Sequence, residues 1–70
     1  MNKPDQSLSN LDRAQKLATQ LDALLAVTTG EVGESFRILS DSLQNGFLWA
    51  CSDMAGELAN IIGEIGVRHE

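Results

Sequence analysis

The sequence has little of several residue types that could stabilise or specialise a small chain. Among its 70 residues there are one cysteine, one proline, one histidine and 4% aromatic residues. A single cysteine excludes an intrachain disulfide, and Cys51 and His69 cannot supply the four ligands of a structural zinc site. A chain of this size buries only about 60% of its unfolded surface. Oligomerisation is therefore the remaining route that we expect to stabilise it.

Long apolar runs are also missing. Residues 1–7 are polar and no apolar segment of a secretory signal follows them. The longest uncharged stretches are too short to span a bilayer, and a lone thiol is typical of a reducing compartment. We therefore expect a cytoplasmic protein with no membrane contact. The short frame beginning at Met1 and the acidic balance suit a bacterial or phage accessory protein.

What the chain does contain is helical periodicity in an acidic sequence, with 43% hydrophobic residues and a net charge of -5. Ser9 and Asp12 fit the capping-box pattern at a helix start. Gly30 suits the left-handed conformation that ends helices. Before it, apolar residues recur in steps of three and four as far as Thr28, and this spacing places them on one helical face. They are Leu11, Ala14, Leu17, Ala18, Leu21, Leu24 and Leu25. We predict a first helix over about 10–28, after a flexible tail over 1–8.

In the second half, apolar residues recur at intervals of eleven. The members of this stripe are Val32, Phe36, Leu39, Leu43, Phe47, Ala50, Met54, Leu58, Ile61 and Ile65. An eleven-residue period corresponds to about 3.67 residues per turn, close to a straight helix. It favours one long helix over about 31–65, within a single domain over 9–66 that ends in a frayed segment over 67–70. Because Asn-Gly favours a turn, the alternative is a three-helix bundle broken near Asn45–Gly46.

The two predicted helices differ in length, and the difference predicts a dimer. The second would be about 50 Å long and the first about 28 Å, so a hairpin leaves half of the second helix uncovered. The fold class we expect is all-α, a helical hairpin that dimerises into a four-helix arrangement. Candidate dimer or partner contacts combine an apolar flank, a tryptophan of the kind enriched at binding hot spots, and small residues that allow close approach. They are Phe47, Leu48, Trp49, Ser52, Gly56, Ala59, Ile62 and Gly63.

No residue pattern in the sequence assembles an active site. His69 is the penultimate residue, whereas a general base needs fixed geometry. Cys51 flanks the apolar stripe, and we expect it to be a buried core residue. Asp53 and Glu57 lie one turn apart with no histidine ligand nearby, which is typical of a solvated helix face. We therefore expect no catalytic residue, no metal and no cofactor.

These observations favour a small non-enzymatic protein–protein interaction module, a homodimer that acts as a regulator, adaptor or inhibitor of another, unidentified protein. An alternative is an acidic mimic of nucleic acid that inhibits a basic partner. Its acidic face would consist of Asp41, Asp53, Glu57 and Glu64.

A second alternative is binding to RNA. The two-helix plan resembles, in architecture alone, the Rop-type plasmid copy-control proteins, whose two helices per chain pair into a four-helix dimer that binds RNA hairpins. The resemblance implies an RNA role only where a basic face exists. Arg13 and Lys16 share one side of the first helix and Arg37 stands alone on the second. Because phosphate contacts dominate affinity for nucleic acid, this charge balance disfavours binding to nucleic acid.

Overall fold

The computed structural model describes the backbone of residues 3–68 and the side chains of residues 8–66. Over this range the chain is all-α, as the sequence predicts. The elements are α1 (Lys3–Ala26), α2 (Gly33–Arg37) and α3 (Asp41–Arg68). Helices α1 and α3 pack against each other. They run antiparallel: Val27, just after α1, and Phe47, near the start of α3, line one groove, whereas Arg13, earlier in α1, contacts Glu57, later in α3.

Helix α1 begins earlier than the sequence predicts. It starts at Lys3 rather than near Asn10, so most of the segment predicted as a tail is helical. Pro4 explains the difference, since proline is tolerated in the first turn, where its missing N–H has no helical partner. Met1 and Asn2 lie outside the described residues. At the other end of the chain, α3 continues to Arg68, and the rest of the segment predicted to fray also lies outside them.

Two glycines shape the connection after α1. Gly30 has a φ of 63°, the left-handed conformation that the sequence predicts, although it lies four residues beyond Ala26 rather than directly after the helix. Gly33 is buried and lies against the backbone of Thr28. A Cβ added to it would be 2.5 Å from the Thr28 carbonyl carbon and 2.6 Å from the carbonyl oxygen. The connection therefore requires glycine at position 33 for close approach.

The predicted long helix over 31–65 is wrong at its start, because the chain leaves the helical path between Arg37 and Asp41. Ser40 caps the new helix: its Oγ accepts a hydrogen bond from the Leu43 N–H at 3.2 Å. Gln44 Nε2 donates to the carbonyl oxygens of Arg37 and Leu39, at 3.1 and 2.8 Å. A serine followed by an acidic first turn is a standard helix start, and here it competes successfully with the apolar period.

The alternative break near Asn45–Gly46 is also wrong. Helix α3 runs through both residues without interruption, so the three-helix bundle based on that break is not formed. Because a turn signal in sequence is local, the packing of α3 along α1 overrides it. The glycine remains tolerated within the helix, where a Cβ at position 46 would meet nothing within 4 Å.

The residues between α1 and α3 repeat in sevens rather than elevens. We call them the seam: they are Asn10, Ala14, Leu17, Leu21 and Leu24 on α1, Thr28 just beyond its end, and Gln44, Phe47, Cys51, Met54, Leu58, Ile61 and Ile65 on α3. Alternating steps of three and four keep them on the side that faces the other helix. Leu43 and Ala50 are exposed, although the eleven-residue stripe includes them. The eleven-residue stripe does not describe the packed side of α3, because the break before Asp41 changes the helical phase. The first members of the stripe therefore lie outside α3.

The two long helices are similar in length, with 24 residues in α1 and 28 in α3. At 1.5 Å per residue they measure about 36 and 42 Å. The expectation that half of the second helix lies uncovered is therefore wrong, since α1 accompanies α3 along most of its length. Any argument for a dimer must instead come from the sides of the helix pair.

Candidate protein-interaction surface

The seam alone gives the chain a sparse core. Among the residues with described side chains, the buried hydrophobic ones are Leu21, Cys51 and Ile61, at 9%, 5% and 4% exposure. The radius of gyration is 15.6 Å, whereas a compact domain of this length has about 11 Å. The burial of Cys51 confirms its predicted place in the core. Two packed helices have no third layer to cover their outer surfaces, so much apolar surface stays exposed.

One side of the helix pair is identified by an ion pair. Arg13 Nη2 lies 2.6 Å from Glu57 Oε2, with both side chains about half exposed. Each of these residues directly precedes a seam residue, Ala14 on α1 and Leu58 on α3. In an antiparallel pair, the residues that stand one position before a seam residue lie on the same side of the pair on both helices. The residues that stand one position after a seam residue lie on the other side. The ion pair thus fixes which positions belong to each side.

The opposite side is apolar on both helices. Its residues each follow a seam residue by one position and are spaced by seven. They are Leu11, Ala18 and Leu25 on α1 and Leu48, Ala55 and Ile62 on α3, and all six are exposed. We call this surface the lateral face. Leu11 and Ile62 are 51% and 54% exposed, although helical residues at seam and flank positions usually cover a core.

The antiparallel order arranges the lateral face symmetrically. The contact of Arg13 with Glu57 sets the relative level of the two helices. It places Leu11 at about the level of Ile62, Ala18 at about that of Ala55, and Leu25 at about that of Leu48. Large side chains therefore occupy both ends and two alanines occupy the middle. The face contains no charged residue among these six positions. Its middle is a place where another helix can approach closely.

The predicted contact residues fall on three different surfaces. Leu48 and Ile62 lie on the lateral face, and Ser52 and Ala59 lie beside it on exposed positions of α3. Phe47 is a seam residue instead, with its ring centroid 5.1 Å from that of Phe36 in an edge-to-face arrangement.

The remaining predicted contacts lie on the back of α3, away from α1. Trp49 is 71% exposed there, and Gly56 and Gly63 follow it at intervals of seven residues. The structure thus separates an apolar side that spans both helices from a row on α3 alone.

The four residues of the predicted acidic face are all exposed, and one of them is paired within the chain. Glu57 is paired with Arg13. Asp41 lies in the first turn of α3, where a carboxylate interacts favourably with the helix dipole. Asp53 lies one turn before Glu57, and Glu64 lies two turns after it. Part of this charge is therefore used within the chain.

Two of the cations that an RNA-binding face would need also make contacts within the chain. Arg13 pairs with Glu57, and Arg37 donates to the carbonyl oxygens of Thr28 and Gly30 at 3.4 and 3.0 Å. Guanidinium groups held in this way have fewer donors left for phosphate. In the part of the chain that the structure describes, no group of three or more His, Cys, Asp and Glu side chains is placed to hold a metal ion.

The sequence analysis missed the α1 half of the lateral face. It assigned Leu11, Ala18 and Leu25 to the stripe that packs against the second helix, whereas the structure leaves them exposed. The signal was present as apolar doublets, Leu17–Ala18 and Leu24–Leu25, since two adjacent apolar residues widen a stripe beyond what one neighbouring helix can cover.

Comparison of the chain with protein-family models, with curated proteins and with solved structures finds no match. Among residues 3–68, no helix combines the length and the apolar character needed to cross a membrane.

Proposed function

We propose that the protein is a small non-enzymatic interaction module that works as a homodimer, a regulator, adaptor or inhibitor of another protein in the cytoplasm. The single observation that carries the proposal is the lateral face, which is apolar on both helices and exposed among residues 8–66, whose side chains the structure describes. A helix with apolar seam and flank positions is typical of a bundle of more than two helices. Pairing two chains through this face gives a four-helix arrangement.

The surface area of the chain supports this pairing. The accessible surface is 5331 Å², whereas a compact monomer of this mass exposes about 4,300 Å². The excess is about 1,000 Å² per chain, or about 2,000 Å² for two chains, which matches the size of a stable protein–protein interface. Because a two-fold contact is self-complementary, the symmetric order of large and small residues on the lateral face suits it.

The dimer leaves other surfaces available for a partner. Trp49 lies on the back of α3, outside the lateral face, and exposed tryptophan is enriched among residues that dominate binding energy. The charge of -5 per chain favours a basic partner through electrostatic steering. The ion pair of Arg13 and the capping contacts of Arg37 favour this proposal over binding to RNA.

Sedimentation equilibrium over a concentration series tests the proposal, with Trp49 emission recorded on the same samples. We expect a mass near twice 7.6 kDa, together with red-shifted emission that a soluble quencher readily reduces. A helical chain that remains a monomer at all concentrations would contradict the dimer. A dimer with blue-shifted, protected emission would instead place the back of α3 in the interface and contradict pairing through the lateral face.

A further inference from the structure

A groove lies at the end of the molecule where α1, α2 and α3 meet. Its lining is almost entirely apolar, and its volume is about 270 Å³. The lining residues are Val27, Val32, Ser35, Phe36, Leu39 and Phe47. We call it the turn groove. The edge-to-face pair of Phe36 and Phe47 forms part of its wall, and Val32 is 66% exposed.

The turn groove lies away from the lateral face. None of the six residues that form the lateral face lines the groove. A second copy seated on the lateral face would therefore leave the groove open.

The walls of the groove are held by contacts that fix the chain between α1 and α3. Gly33 is buried against Thr28, and Arg37 donates to the carbonyl oxygens of Thr28 and Gly30. Gln44 donates to two further carbonyl oxygens of the connection. A groove held in this way needs little ordering when a partner binds, which lowers the entropic cost of association.

The size of the groove selects the class of occupant. Its volume is slightly below the range of about 300–1,000 Å³ that is usual for pockets of drug-sized ligands, and an open groove of this size accommodates one or two apolar side chains. Among residues 3–68 the elements are helices, and the recognition mode that suits such a surface is an amphipathic helix with apolar anchors.

The charges beside the groove indicate the sign of the charge that a partner should carry. Glu31 and Glu34 are exposed and stand next to the lining residues Val32 and Ser35 in the chain. The one cation of this segment, Arg37, directs its guanidinium to backbone carbonyls. The surroundings of the groove are therefore acidic, and opposite charges at an interface favour encounter and exclude partners of the wrong sign.

We propose that the turn groove binds an amphipathic helix of a partner protein, with apolar side chains in the groove and basic residues beside Glu31 and Glu34. This inference deepens the proposed function, on which it rests, by naming the kind of partner. The groove holds the apolar anchors, and the two carboxylates discriminate between basic and acidic helices.

The test uses the full chain labelled with ¹⁵N and two synthetic helical peptides. Both peptides carry the same stripe of leucines, one with lysines and the other with glutamates on its flanks. We expect the lysine peptide to shift the amide signals of Val32, Phe36 and Leu39. We also expect it to bind about tenfold more tightly than the glutamate peptide, because Glu31 and Glu34 form two attractive charge pairs with lysines and two repulsive ones with glutamates. Equal binding of both peptides, or shifts centred on Trp49 or the lateral face, would overturn the inference.

Charge reversal provides the matched variants. Glu31→Lys combined with Glu34→Lys is expected to reverse the preference between the peptides, whereas Asp53→Lys combined with Glu64→Lys, away from the groove, leaves it unchanged. If the first variant does not fold, the two peptides still decide the question on the unaltered chain. Groove binding by a chain that sediments as a monomer would support the inference and overturn the proposed dimer, so the two failures are distinguishable.

Discussion

Replacement of Ala55 by glutamate is expected to dissociate the dimer, raising its dissociation constant by at least about 100-fold. Ala55 lies in the middle of the lateral face with Ala18 at its level. In a two-fold interface the variant buries two unpaired carboxylates at the place of closest helix approach. An unpaired buried charge costs about 3–5 kcal/mol, which corresponds to a factor of 100 or more. Sedimentation equilibrium measures the change directly.

Ala50→Glu is the matched control for this substitution. Ala50 is also an exposed alanine within α3, but it directly precedes the seam residue Cys51 and lies on the side of the Arg13–Glu57 pair. Helix propensity changes equally in the two variants, so only their place on the molecule differs. We expect Ala50→Glu to remain a dimer. Dissociation by both variants to the same extent would show that the lateral face has no special role.

Gly33→Ala is expected to destabilise the fold by about 2–4 kcal/mol, in the range seen for overpacked buried sites. The added Cβ would lie 2.5 Å from the Thr28 carbonyl carbon, and the obstacle is backbone rather than a flexible side chain. The connection after α1 must therefore move, which also disturbs the hydrogen bonds from Arg37 to Thr28 and Gly30. Urea unfolding at one fixed protein concentration measures the change, since dimer stability depends on concentration.

The same chemical change at position 46, Gly46→Ala, is expected to have the opposite effect on stability. A Cβ at position 46 meets nothing within 4 Å, and the residue lies inside α3. Alanine there should stabilise the helix by about 0.5–1 kcal/mol. If Gly33→Ala raises the urea midpoint as Gly46→Ala does, the close approach of Gly33 to Thr28 is not present in the molecule.

The sequence predicts the helical class and part of the candidate surface because both depend on local periodicity. The apolar steps of three and four identify the first helix, and Gly30 has the positive φ that its position indicates. Leu48 and Ile62 were assigned to an apolar flank outside the main stripe, and the structure leaves both exposed. These features follow from spacing along one helix and need no knowledge of its neighbour.

The phase and start of the third helix could not be read from apolar spacing. The eleven-residue and the seven-residue patterns both fit much of α3, because they share Phe47, Met54, Leu58, Ile61 and Ile65. What separates them is the capping of α3 by Ser40 and the side-chain hydrogen bonds of Gln44. Those contacts are polar and tertiary, and a search for apolar periodicity does not register them.

Only the α3 half of the lateral face could be predicted from the sequence, because two helices together form this face. The exposure of Leu11, Ala18 and Leu25 depends on which side of α1 faces α3, and the Arg13–Glu57 pair reveals that side only in the folded chain. The predicted difference in helix length indicated a dimer that forms through an uncovered end of the second helix. The structure supplies an uncovered side, and that side now carries the proposal.

Isotope-filtered NOE measurement on a mixture of ¹³C-labelled and unlabelled chains tests the central claim most directly, because it records only contacts between copies. We predict intermolecular contacts among the methyl groups of Leu11, Leu25, Leu48 and Ile62, with those of Ala18 and Ala55 close to the two-fold axis. Intermolecular contacts confined to Trp49 and its neighbours on the back of α3, or to the turn groove, would contradict the claim that the lateral face joins two chains.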